Sequence, residues 1–156
     1  MGTFAHVVAD DAVLERIADA PAGLLARINA IMLEHGSRRA GLSPIAAERV
    51  YDEEAHAIRA LHPRAHTLED LAFGQGLRRF RAFDVVSEHG LDEHSGSTSD
   101  RELMLAILDR QRAYRFEHLI GATPEEQDAC NAEHVARCDR AIAEVRAGNV
   151  REVAWY

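Results

Sequence analysis

The chain has 156 residues, with 26 acidic and 18 basic side chains and a formal net charge of -8. This length predicts a single domain that can bury a sizeable core. The negative charge argues against nucleic acid as a main partner, because a protein that coats phosphates needs positive charge. All the basic residues are arginine, which excludes lysine Schiff-base and phosphate-loop lysine chemistry.

The sequence predicts a cytoplasmic protein without a membrane partner. No apolar run approaches the ~18 residues that a membrane-spanning helix needs, and Asp10, Asp11 and Glu15 lie where a signal peptide would be apolar. Cys130 and Cys138 fall on one predicted helix, about 12 Å apart along its axis, which is too far for a disulfide. We therefore expect both cysteines to be reduced thiols, or to pair only between chains.

Start and stop signals predict a short N-terminal helix followed by five longer helices. Gly36 is expected to end the second helix, and Ser43 followed by Pro44 is typical of the start of the third. The predicted helices span residues 11–20, 21–35, 44–61, 68–89, 100–120 and 124–147.

The last two helices begin with capping patterns. Ser99 with Glu102, and Thr123 with Glu126, have the spacing at which the two side chains cap the first turn reciprocally. Apolar residues spaced three and four apart predict that both helices are amphipathic. Helices of this kind joined by short connections pack as antiparallel neighbours. The expected fold is therefore all-α, a single helical-bundle domain over residues 1–156.

Two parts of the chain fall outside the helical pattern. Residues 4–8 and 150–155 are predicted either to pair as two short strands or to fray, and we favour fraying. Residues 91–99 are polar and rich in serine, which predicts an exposed and mobile loop.

The helix predicted over 100–120 has polar residues on a stripe that should be apolar. Continuing this stripe by threes and fours leads through Arg110, Tyr114 and Glu117, with His118 in the flanking row. Because a buried charge without a partner costs several kcal/mol, we expect these groups to pair together or with a ligand. One interpretation is a structural ion-pair network. The other is an interior pocket in which Arg110 holds an anion, Tyr114 donates a hydrogen bond and His118 titrates near neutrality.

A second candidate site is the pattern Cys130-x-x-x-His134-x-x-x-Cys138. Residues four apart share a helix face, so His134 and one cysteine could bind a transition metal with further ligands from facing helices. All three cannot reach one ion, because the outer two lie about 12 Å apart. Cys138 also lies on the apolar stripe, so the competing interpretation is a buried structural thiol.

Two hypotheses of different classes follow. The first is a regulatory or binding protein for a small molecule or a protein partner, with self-association through a helix face as one form of that role. The second is a non-haem metal-dependent enzyme or sensor. No Gly-x-Ser-x-Gly, dinucleotide-binding, His-Glu-x-x-His or paired Cys-x-x-Cys motif is present, so hydrolase, dehydrogenase and zinc-protease functions are not favoured.

Overall fold

A computed structural model describes residues 5–62, 88–92, 94–117 and 119–155 of the chain. The helix predicted over 68–89 lies outside the described residues except for its last two positions. None of the described helices is long and apolar enough to cross a membrane. In chain order the elements are β1 (Ala5–Ala9), α1 (Asp11–Ala18), α2 (Leu24–Arg39), α3 (Pro44–Leu61), β2 (Gly96–Thr98), α4 (Arg101–Ala113), α5 (Pro124–Arg146) and β3 (Val150–Trp155).

The described part is mostly helical but also contains a small antiparallel sheet with strand order β1-β3-β2. The all-α prediction is therefore correct for the helices and wrong for the ends of the chain. The strands near the two ends, β1 and β3, pair with each other, so the favoured expectation of fraying is wrong. The predicted loop over 91–99 supplies β2, which pairs with the other edge of β3.

A β-bulge interrupts the regular alternation of β3. Val150 and Val153 are both buried in the core, although residues three apart in a regular strand point to opposite faces. The pairing between β1 and β3 skips Arg151, which is the extra residue of the bulge. The bulge brings both valines to the core side and leaves Arg151 exposed.

Trp155 of β3 packs against β2 and bonds to the chain that precedes it. Its indole Nε1–H donates to the backbone carbonyl of Asp92 at 2.8 Å, and the side chain is buried. A Cβ atom built on Gly96 would lie 2.7 Å from Cζ2 of the Trp155 ring. Only glycine therefore fits at this position of β2 without moving the indole.

A buried carboxylate joins α1 to α2. Glu15 accepts hydrogen bonds from the backbone N–H groups of Gly23 and Leu25, both at 3.1 Å. The N-cap of α2 is Gly23, which has no side chain to cap the helix. Because the first N–H groups of a helix have no acceptor within the helix, Glu15 replaces the missing cap and its charge also favours this end.

Polar contacts bind α1 to α5. Arg16 donates to both carboxylate oxygens of Glu144, at 2.6 and 3.2 Å, and Asn149 donates to the same carboxylate at 2.7 Å. These hydrogen bonds hold the pKa of Glu144 below its ordinary value. Arg140 of α5 donates to the carbonyl of Ile17 in the last turn of α1 at 2.6 Å.

The strongest sequence signals for helix starts are confirmed. Ser43 accepts a hydrogen bond from the N–H of Ala46 at the start of α3. Thr123 and Glu126 form the complete capping box of α5. Both helices match their predicted ranges to within one residue.

Three predicted helix boundaries are wrong: the C-terminus of α2 and both termini of α4. The helix α2 passes through Gly36 and ends at Arg39, and the left-handed glycine beyond it is Gly41, with φ at 77°. The N-cap of α4 is Asp100, which accepts from the N–H of Leu103, in place of Ser99. Most importantly for function, α4 ends at Ala113 and does not reach residue 120.

Two glycine-to-alanine substitutions are expected to change stability in opposite directions. Gly36→Ala should raise the free energy of unfolding by about 1 kcal/mol, because alanine is the better helix former and the new Cβ would meet only Arg39 at 3.6 Å. Gly96→Ala should lower it by about 1–3 kcal/mol through overpacking against Trp155. Urea denaturation of both variants measures the difference, and a neutral Gly96→Ala would contradict the packing described for β2.

Candidate functional site

The chain between α4 and α5 folds back along α5. We call residues 114–123 the connector, of which residue 118 lies outside the described part. It begins where α4 ends, at Tyr114, whose backbone is extended with φ at -67° and ψ at 143°. It then runs antiparallel to α5, because Phe116 bonds to Asn131 and Leu119 bonds to the earlier residue Gln127.

Three side chains on one face of α5 hold this backbone, and we call Gln127, Asn131 and His134 the α5 polar row. Gln127 accepts from the N–H of Leu119 at 3.3 Å and donates to the carbonyl of Glu117 at 2.7 Å. Asn131 accepts from the N–H of Phe116 at 2.8 Å and donates to its carbonyl at 3.0 Å. The spacing of four and three residues places the row on one helix face.

His134 completes the row at the end of α4. Its Nε2 lies 2.7 Å from the backbone carbonyl of Gln111. A carbonyl oxygen only accepts, so Nε2 carries the proton and donates. The imidazole is 2% exposed and packs edge-to-face against the ring of Phe116, with ring centroids 5.5 Å apart. The same carbonyl also accepts from the N–H of Tyr114 at 3.1 Å, so His134 is its second donor and bonds α5 to the last turn of α4.

The metal interpretation of Cys130, His134 and Cys138 gains no support. Cys130 is exposed and Cys138 is buried. The sulfur of Cys138 lies 3.9 Å from both ring nitrogens of His134, so it is not in line with the lone pair of either. Within the described ranges, no group of three or more His, Cys, Asp or Glu side chains is placed to hold a metal ion.

The connector brings three of the four predicted ligand-binding residues to one cleft. Arg110, Tyr114 and Glu117 line it, and His118 lies outside the described residues. The cleft has a volume of about 720 Å³. Its other described lining residues are Ala113, Arg115, Phe116 and Leu119.

The residues were grouped in the sequence analysis because they follow one stripe of a helix, and this reason is wrong. Tyr114 and Glu117 do not belong to a helix stripe, because α4 has already ended. Glu117 is exposed. The side chain of Arg110 is 36% exposed and forms an ion pair with Glu88 at 3.3 Å. The expected buried charge network is therefore replaced by an open cleft at the end of α4.

Arg115 and two aromatic rings shape the wall of the cleft. Nη1 of Arg115 donates to the carbonyls of Arg112 and Tyr114, at 2.6 and 2.8 Å, which places a cation at the C-terminus of α4, where the helix dipole favours it. The rings of Tyr114 and Phe116 meet edge-to-face at 5.3 Å. The cleft thus combines guanidinium groups with an aromatic surface.

An ion pair also links the last turn of α4 to α5. Arg112 donates to the carboxylate of Asp139. This hydrogen bond holds the pKa of Asp139 below its ordinary value and raises the pKa of Arg112. Both side chains are about half exposed, so we assign this pair a small share of the stability compared with the polar row.

Two residues of this site were not recognised in the sequence. Gln127 and Asn131 have the four-residue spacing of one helix face, followed three residues later by His134. A polar row of this kind on an amphipathic helix normally indicates the solvated side. Its only distinguishing signal is that these side chains can each donate and accept, which suits them to backbone groups.

Comparison with models of protein families, with curated proteins and with solved structures finds no match to this chain. Function is therefore inferred from the geometry of the cleft and from the polar row behind it.

Removing one member of the row should destabilise the protein. Asn131→Ala leaves the N–H and the carbonyl of Phe116 without their partners, and we expect a loss of about 1–3 kcal/mol in the free energy of unfolding. Asp128→Ala, at an exposed position of the same helix, is the control and should stay within about 0.5 kcal/mol of the original protein. Equal urea midpoints for the two variants would contradict the role of the row.

Proposed function

We propose that this protein is a small-molecule-binding module and that its ligand occupies the cleft at the end of α4. The observation that carries the proposal is the volume of the cleft, about 720 Å³, which lies within the roughly 300–1,000 Å³ typical of small-molecule sites. The ligand class that fits is a molecule with an anionic group and a planar apolar ring.

The anionic group is matched by the two arginines. Nε and Nη2 of Arg115 make no hydrogen bond to a described residue, and a guanidinium binds carboxylates and phosphates through paired N–H groups. The ion pair of Arg110 with Glu88 is long, at 3.3 and 3.4 Å. Exposed pairs of this kind contribute little to stability. Because Arg110 has a further contact as well, Arg115 is the main anion contact of the proposal.

The planar part of the ligand is matched by Tyr114 and Phe116. Aromatic rings prefer edge-to-face or offset contacts with other rings, and the rings of Tyr114 and Phe116 already pack edge-to-face against each other. The backbone beneath Phe116 is held by Asn131. A wall held in this way is preorganised, which lowers the entropy lost on binding.

The residue types of the described wall suit the binding of an anionic ring. The described lining residues comprise two arginines, a tyrosine, a phenylalanine, a glutamate and two aliphatic residues. Arginine and aromatic side chains are the types that orient such a ligand.

Titration with benzoate tests the proposal. Benzoate carries the anionic group and the ring, benzyl alcohol lacks the charge, and benzamidine reverses it. We expect benzoate to bind more tightly than both and to shift the NMR signals of Tyr114 and Phe116. Arg115→Gln should weaken benzoate binding roughly tenfold, because a charge-assisted hydrogen bond is lost.

Arg27→Gln, at an exposed position on α2, is the charge-matched control and should leave the affinity for benzoate unchanged. Benzoate binding that leaves the cleft signals unmoved, or that is equal in the Arg115→Gln and Arg27→Gln variants, would contradict the proposal.

A further inference from the structure

Gln111 is a buried polar residue in the last turn of α4. It is 1% exposed, and neither Nε2 nor Oε1 of its carboxamide has a hydrogen-bond partner among the described residues. A buried polar group left unpaired destabilises the folded protein. An apolar side chain of the same length, such as methionine, would avoid that cost, so stability does not explain glutamine here.

Apart from Gln111, the buried face of α4 is apolar, as is usual in a hydrophobic core. The other buried residues of α4 are Leu103, Met104, Ile107 and Leu108, all apolar, and Gln111 continues their stripe by one turn. Natural chains break such local rules mainly at functional positions. The place where this rule breaks is the turn of α4 that leads into the cleft.

Gln111 connects to the cleft from two directions. Its neighbours on α4, Arg110 and Ala113, line the cleft. Its backbone carbonyl accepts from His134, and the His134 ring packs against Phe116, which is itself part of the cleft wall. Phe116 and His134 therefore form a chain of contacts from the cleft wall to the backbone of Gln111, whose own side chain is not among the described lining residues.

We propose that the carboxamide of Gln111 is the specificity contact of this cleft, for a ligand group that carries a hydrogen-bond donor and an acceptor side by side. A primary carboxamide and the lactam edge of a heterocycle are groups of this class. This inference rests on the proposed binding function. A carboxamide donates through Nε2 and accepts at Oε1, so two such groups pair through two parallel hydrogen bonds when the Phe116 ring turns aside.

Hydrogen bonding to Gln111 predicts strong discrimination between ligands that carry a carboxamide and analogues that lack it. A buried site that hydrogen-bonds a ligand group rejects an analogue that lacks the group, because the polar atoms of the site then stay unpaired. A ligand that pairs with Gln111 removes a cost that the unliganded protein already carries. The preference for a carboxamide should therefore depend on this one side chain.

Two matched compounds and one variant test the inference. 4-Carbamoylbenzoate carries the anion, the ring and a carboxamide, whereas 4-methylbenzoate replaces the carboxamide with a methyl group. We expect the protein to bind the carbamoyl compound at least tenfold more tightly. Gln111→Met should abolish that preference while the urea midpoint stays equal or rises, and Gln111→Leu should behave in the same way.

The outcomes separate this inference from the binding function itself. If 4-methylbenzoate binds in the cleft but the carbamoyl compound binds no better, the inference is overturned and the binding function stands. If the preference survives in Gln111→Met, or if that variant loses stability with the preference intact, the carboxamide has a structural role and the inference is overturned. If neither compound binds, both proposals are overturned.

Discussion

The hydrogen bonds from side chains of α5 to the backbone of the connector are the interaction on which the candidate site depends. Backbone N–H and carbonyl groups that leave a helix must find new partners when water is excluded. Gln127 and Asn131 supply two such partners each, and His134 donates to the carbonyl of Gln111 in the last turn of α4. The polar row thus binds the backbone of the connector at Phe116, Glu117 and Leu119, although no strand lies beside it among the described residues.

The backbone and the side chains of the connector have different roles in this arrangement. The backbone of Phe116 is bound to α5, while its ring and the side chains of Tyr114 and Arg115 form the cleft. Loops positioned by a rigid scaffold often carry function, because their side chains can vary without loss of the fold. Here the bonds to α5 give a short irregular segment the order that a binding wall requires.

Interactions between residues close together in the sequence could be predicted, whereas interactions between distant residues could not. The starts of α3 and α5 follow from caps such as Ser43 and Thr123, which lie within three residues of the groups they bind. The last turn of α4 is bound by His134, more than twenty residues away. The pairing of β1 with β3 was the less favoured of two predictions, and the bulge at Arg151 interrupts the regular alternation of β3. The sequence grouped Arg110, Tyr114 and Glu117 correctly as neighbours, but on a helix stripe that does not exist.

Native-state amide hydrogen exchange of the connector tests the central claim most directly. The N–H groups of Phe116 and Leu119 are bound by the polar row, whereas that of Arg115 makes no hydrogen bond to a described residue. We predict that Phe116 and Leu119 exchange roughly tenfold or more slowly than an unstructured chain, and that Arg115 does not. Unprotected exchange at all three amides would show that α5 does not hold the connector.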